Sequence, residues 1–342
     1  MDASCFRLDN NADAVEFCPH NTFHHILAAA TYTLQESSQP DRSGSLSLFA
    51  VDDNLGLKLI HQIGTVGIFD IKWNPSLDKV DPLLAVADAH GCLSIHSLKP
   101  GLDSEDHGVI LNEVFKENVS DSMCLCLDWN PSATSISIGL SNGSASVISI
   151  REDKVQASES WQAHEYEVWA ACFDAHRPQL LFTGSDDCCL SCWDLRLSPA
   201  NPVFRDSKSH KMGVCCISKP SSSSNPHTLL TGSYDEFLRV WDLRATSRPL
   251  SQGSVCLGGG VWRLKPHPDV SDLILAACMH NGFAIVKLTE QQSPVVVETY
   301  QKHESLAYGA DWRKGRSNPA VVATCSFYDK LVRVWTPASC CT

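Results

Sequence analysis

The chain has 342 residues, 43% of them hydrophobic and 19% charged, with a formal net charge of −12. That composition can bury a sizeable core and excludes a disordered polyelectrolyte, and the acidic balance argues against a broad cationic surface for nucleic acid or anionic lipid. No apolar run approaches the roughly 18 residues a membrane span needs, and the first residues lack a basic segment followed by an apolar one. A soluble, unsecreted chain with no membrane or direct nucleic-acid partner is therefore expected, cytoplasmic, with passage to the nucleus left open.

In chain order, Ser4-Cys5-Phe6-Arg7-Leu8 reads as a strand, residues 3–9, with no unit of its own. A repeating unit follows. Its first copy, residues 10–62, carries Phe17-Cys18-Pro19 and an anchor at Phe49, and the second, 63–105, carries Trp73-Asn74-Pro75, the apolar run Leu83-Leu84-Ala85-Val86-Ala87 and His96. The third, 119–155, has Trp129-Asn130-Pro131 and Ser149, and the fourth, 160–200, has Phe173-Asp174-Ala175, Gly184-Ser185-Asp186-Asp187 and Cys192-Trp193-Asp194-Leu195-Arg196. The fifth, 206–250, runs from Gly232-Ser233-Tyr234-Asp235 to Val240-Trp241-Asp242-Leu243-Arg244. The sixth, 255–295, contains Pro266-His267-Pro268 and Lys287, and the seventh, 298–337, contains Trp312-Arg313, Val321-Val322-Ala323-Thr324-Cys325 and Trp335.

The seven anchors are 47, 53, 44, 48, 46 and 48 residues apart, near the ~40–45 period of WD40 blades. Each unit holds an apolar run bounded by turn residues, as a strand buried between neighbouring blades should. The predicted fold is all-β, a single seven-bladed WD40 β-propeller over residues 1–342. Only seven residues follow Trp335, too few for a fourth strand, so the N-terminal strand is expected to complete the last blade and close the ring. The polar inserts Leu34 to Ser43 and Ser221 to Ser224 read as hairpin loops.

Sixteen cysteines, many inside strand-like runs, read as reduced core thiols. Cys189-Leu190-Ser191-Cys192 has metal-knuckle spacing, but no second pair follows at a zinc-finger distance, and neither a metal nor another cofactor is expected. Gly139-Leu140-Ser141-Asn142-Gly143 spells a nucleophile elbow, which needs a helix after the serine; Ser144 to Ile150 instead alternates like a strand. Asp187, Asp235 and Asp329, with His164, His210 and His303, match the His, Ser/Thr, Asp and Trp hydrogen-bond set of WD40 blades, a structural role.

Four residues before each strand-end marker stand Asp13, Phe69, Leu125, Trp169, Cys215, Trp262 and Tyr308, positions that a propeller aims at the mouth of its central channel. Four are aromatic. They either cap the channel or wall a pocket for a flat group or a quaternary ammonium. Gly258-Gly259-Gly260 ahead of Trp262 is expected to lower the wall there and let a ligand approach the backbone.

Gly258-Gly259-Gly260-Val261-Trp262-Arg263, His303-Glu304-Ser305-Leu306-Ala307-Tyr308 and Cys325-Ser326-Phe327-Tyr328-Asp329 together resemble the diphthine methylesterase family, WD-repeat proteins of diphthamide biosynthesis. The resemblance covers essentially the whole chain, and these motifs are its specific part. It implies hydrolysis of the methyl ester of methylated diphthine, a modified histidine of elongation factor 2, which would be the partner. That substrate bears a trimethylammonium beside its ester, so Phe69, Trp169, Trp262 and Tyr308 would hold the cation, with Gly259, Gly260, Tyr328 and Asp329 completing the binding site. For the chemistry, His303 or His267 would be the base, Ser305 or Ser326 the nucleophile or water-holder, and Arg263 the oxyanion partner. A serine path and direct water attack both stay open. Trp193-Asp194-Leu195-Arg196 and Trp241-Asp242-Leu243-Arg244 also look like the box by which WD40 proteins dock on a cullin-4 ligase adaptor, which makes a non-catalytic scaffold the competing reading. The bland alternative is that each Asp and Arg pair locally.

Overall fold

The computed structural model describes residues 2–35, 41–75, 81–101, 108–151, 154–197, 199, 201–220, 226–315 and 320–340. Ser221 to Ser224 and part of the Leu34 to Ser43 insert lie outside them. Among the described residues the chain forms seven antiparallel sheets, six of four strands and one of five. They are the blades of the expected propeller, and each anchor read from the sequence falls on the third strand of its blade, as Trp193 does in Leu190–Asp194 and Trp241 in Phe237–Asp242. The extra strand belongs to blade one, where Thr33–Gln35 pairs with the start of Asp41–Val51.

Burial is deepest in the second strands and least in the outermost ones, and the sequence pattern follows it. Second strands such as Ile26–Thr31, Leu180–Ser185 and Thr228–Ser233 are buried at every position, because both faces lie against neighbouring blades. Outer strands such as Leu250–Cys256 are mostly exposed and polar. Among the described residues the apolar interior divides into seven clusters, each shared by two adjacent blades. No blade holds a complete core by itself, so the ring is stabilised blade on blade.

The ring closes as expected. Asp2–Arg7 pairs antiparallel with Leu331–Trp335 and completes the last sheet, while Leu8 enters the cluster between blades seven and one. This pairing covers an edge that would otherwise present unpaired backbone groups.

Threonines inside three blades tie the outer tryptophan to a loop histidine. Thr183 Oγ1 lies 2.9 Å from Trp193 Nε1 and 2.7 Å from His164 Nε2, and Thr231 bridges Trp241 and His210 in the same way at 2.9 and 3.0 Å. An indole N–H can only donate, so the threonine proton goes to the imidazole and fixes the histidine proton on Nδ1. His164 passes it to Asp187 Oδ2 at 3.0 Å.

Candidate active site

The innermost strands Ala12–Phe17, Ile68–Trp73, Cys124–Trp129, Val168–Phe173, Val214–Ser218, Arg263–Pro266 and Ala307–Trp312 surround the central channel. In six of them the pairing with the second strand slips near the first residues. A bulge of this kind lets consecutive side chains turn to the same side, so Leu125 and Cys126 both face the channel mouth. Blade six has no bulge and supplies Trp262 from the residue just ahead of its strand.

The expected mouth positions converge. Asp13, Phe69, Leu125, Trp169, Cys215, Trp262 and Arg263 line one small cavity of about 10 Å³. Above it the rings form a collar. Trp262 stacks on Tyr308 at 4.9 Å between centroids and tilts against Trp169 at 5.3 Å and Tyr234 at 5.9 Å. From Tyr308 the collar continues through Phe327 (5.2 Å), Tyr32 (4.9 Å) and Phe69 (4.6 Å). Trp169, Tyr234, Trp262 and Tyr308 remain partly accessible, and their negative ring faces suit a weakly hydrated cation. Burial pushes the Tyr32, Tyr234 and Tyr308 phenols well above their ordinary range, so they stay neutral.

Under the collar lie charged groups. Arg263 Nη1 donates to Asp70 Oδ1 at 2.9 Å, and Asp70 Oδ2 accepts from the Leu127 amide. Asp13 is 1% exposed, and its Oδ1 and the Trp262 indole N–H are buried without a hydrogen-bond partner. Burial pushes the Asp13 carboxyl up to about 8; Arg263 opposes the shift and Asp70 adds to it. Farther down the channel, Lys72 pairs with Asp128 at 2.8 Å and Lys265 pairs with Glu16 and Asp311. This lower layer holds both lysines in ion pairs that tie the inner strands together.

The WD40 family profile, "WD domain, G-beta repeat", matches residues 156–194 and 203–242. Over 98% of its length the chain superposes on 92% of a chain in the crystal structure of the mitotic checkpoint complex, with a TM-score of 0.73 and 15% identity, a likeness of fold alone. The human diphthine methyltransferase is 35% identical over 90% of this chain and 75% of its own length. The diphthine methyltransferase homolog of Dictyostelium discoideum is 31% identical over 96% of this chain and 97% of its own. The chain belongs to the diphthine methyltransferase family.

In this member of the diphthine methyltransferase family, the residues singled out in the sequence separate into three groups. Phe69, Trp169, Trp262, Tyr308 and Arg263 come together at the mouth, as described. His303, Ser305 and Tyr328 border a different place, an open hollow of about 590 Å³ between blades six and seven that His280 and Glu304 also line. His267 lies at the far end of the Arg263–Pro266 strand, packed on Trp312, where its Nδ1 accepts from the Asp269 and Val270 amides.

Bonding corrects several of the roles expected of these residues. His303 repeats the threonine relay of blades four and five: Nε2 lies 2.9 Å from Thr324 Oγ1, which also receives the Trp335 indole N–H. Its Nδ1 faces Ser326 Oγ, and Ser326 donates to Asp329. The Nε2 lone pair is therefore engaged, and Ser326, fully buried, points its proton at a carboxylate. These three side chains bond to one another inside the blade, and of them only His303 borders the hollow. Ser305 accepts from the Tyr328 amide at 2.9 Å and fixes that turn.

The glycines do not lower the wall for a ligand. Gly259 and Gly260 are buried, and a Cβ on Gly259 would stand 2.2 Å from the Cys278 carbonyl oxygen, one on Gly260 2.6 Å from Met279 Sδ. They are small because blade six packs its own turn against them. Ser141 sits in a turn between two strands and accepts from the Met123 amide, so it occupies no nucleophile elbow. Arg196 and Arg244 each close on the aspartate two residues back, at 2.6 Å from Asp194 and 2.5 Å from Asp242.

The sequence reading did not single out the buried carboxyl of Asp13, nor place Tyr32, Tyr234 and Phe327 in the collar. Asp13 was within reach, since the position count lands on it; the three rings come from turns and loops that the count does not sample.

Proposed function

We propose that the chain hydrolyses the methyl ester of methylated diphthine on elongation factor 2, in diphthamide biosynthesis. The observation that carries this reading is the aromatic collar over a buried carboxyl, Asp13, whose Oδ1 has no hydrogen-bond partner, at one mouth of the channel. The trimethylammonium of the substrate rests against the faces of Trp169, Trp262 and Tyr308, where a cation gains about 0.5–2 kcal/mol depending on how fully it is desolvated. The acidic chain, at −12, attracts that cation from a distance. With the head so held, the adjoining ester faces Arg263 and the Trp262 indole N–H, donors suited to the negative charge that builds on the carbonyl oxygen.

The relatives carry a name that speaks of methyl transfer, and family membership supports diphthine as the group acted upon. Hydrolysis and transfer differ in direction: one releases the methyl as methanol, the other adds it from a donor. Incubating the protein with elongation factor 2 bearing methylated diphthine should release methanol and leave the unmethylated residue by mass spectrometry. Methyl gain on unmethylated diphthine from an added methyl donor, with no methanol released, would establish transfer instead.

A further inference from the structure

We propose that Asp13 takes the proton from the water that attacks the ester, and that the arriving cation is what readies it for the task. This rests on the collar as the receiver of a cationic head. Three observations carry it. Asp13 projects from the innermost strand of blade one into the same cavity as Trp169, Trp262 and Arg263. Its Oδ1 has no partner although the residue is almost wholly buried. The cavity, about 10 Å³, is close to the volume that one water requires.

The groups facing Asp13 decide its charge. Arg263 of blade six favours the carboxylate, Asp70 of blade two opposes it, and the neighbouring Tyr32, Tyr234, Tyr308 and Cys325 are neutral hydroxyls and a thiol raised by burial. Burial prevails, so the empty site holds Asp13 protonated at neutral pH. A quaternary ammonium seated on the collar adds a positive charge that cannot itself lose a proton, and an opposite charge within a few ångströms favours ionisation. The substrate thus converts an idle acid into a base.

In the step that follows, water oxygen bonds to the ester carbon while one water proton passes to the Asp13 carboxylate. The tetrahedral intermediate then breaks its bond to the methoxy oxygen, which takes the proton from Asp13 and leaves as methanol. The product carboxylic acid sheds its own proton to solvent, and Asp13 is restored as a carboxylate until product leaves.

The test uses tetramethylammonium chloride as the cation and titration calorimetry near pH 7 in two buffers of different ionisation enthalpy. Binding should release most of one proton per cation, falling toward none above about pH 9. Asp13→Asn should still bind the cation through the rings but release no proton. For turnover, kcat/KM should rise with pH through about 8 while the limb in kcat moves lower. Binding without proton release in the unaltered protein, or release that persists in Asp13→Asn, overturns the inference and leaves the collar reading standing. No binding of the cation overturns the collar reading itself.

Discussion

Removing Trp262 separates the work of a mouth ring from that of a blade ring. Trp241 is 2% exposed, packs at 5.8 Å against His210 and donates to Thr231 at 2.9 Å. Trp241→Ala therefore leaves a sealed cavity and an orphaned relay, and a cost of about 3–5 kcal/mol follows. Trp262 loses contacts to three rings, but its indole N–H has no partner and solvent can enter the notch left behind. With ring pairs at about 0.5–1.5 kcal/mol each and part of that already weakened at the rim, Trp262→Ala should cost only about 1–2 kcal/mol. Its effect on ligand binding runs the other way. Loss of one cation–π face removes about 0.5–2 kcal/mol, a twofold to thirtyfold weaker grip on tetramethylammonium, whereas Trp241→Ala should leave that affinity unchanged in the folded fraction. Urea denaturation read by fluorescence gives the first quantity and titration calorimetry the second. Equal destabilisation by the two substitutions, or an unaltered affinity in Trp262→Ala, refutes the assignment of Trp262 to the mouth.

Asp13→Asn should gain stability over the native protein as pH climbs. The folded chain holds this acid at about 8 against 3.8 for the ordinary group, so between those values the unfolded chain ionises first and stability falls, by at most ~1.4 kcal/mol per pH unit; denaturation at about pH 5 and pH 8 compares the two. His303→Ala should lower stability by roughly 1–3 kcal/mol, as an orphaned buried hydroxyl does, while kcat of the folded fraction stays within about twofold of native, because its imidazole is tied to Thr324 and Ser326; a loss of turnover in fully folded protein contradicts this. Gly259→Ala should reduce thermal stability by about 1–3 kcal/mol, since its Cβ meets the Cys278 carbonyl oxygen, while Gly64→Ala, with nothing within 4 Å, should be neutral in the same scan. A thiol reagent should modify Cys5 and Cys256 quickly in native protein, and the buried Cys126, Cys172, Cys216 and Cys325 only after unfolding, because burial holds those thiols protonated.

The fold was legible because a propeller repeats its physics. Trp193 and Trp241 recur at a fixed interval since each blade needs the same indole-to-threonine relay, and the leftover strand at the start answered the missing strand at the end. The collar was legible through the same periodicity, which placed Phe69, Trp169, Trp262 and Tyr308 at equivalent steps of different strands. Where a residue type serves both structure and chemistry, pattern alone could not choose. His303 and Ser326 resemble a base and a nucleophile in the sequence, and only their bonding to Thr324 and Asp329 reveals a blade-stabilising relay. Gly259 and Gly260 suggested open space, yet small residues serve equally well for tight packing. Asp13 carried no signal of its burial, because that depends on rings such as Phe69, Trp169 and Trp262, contributed by other blades.

The pairing of Asp2–Arg7 with Leu331–Trp335 sets a schedule for synthesis. Asp2–Arg7 leaves the ribosome well ahead of its partner and must wait until more than three hundred later residues have emerged. Until that moment the nascent arc carries two raw flanks, a period when chaperones have most to protect, and a bulky group attached beside Asp2–Arg7 would burden the latch itself.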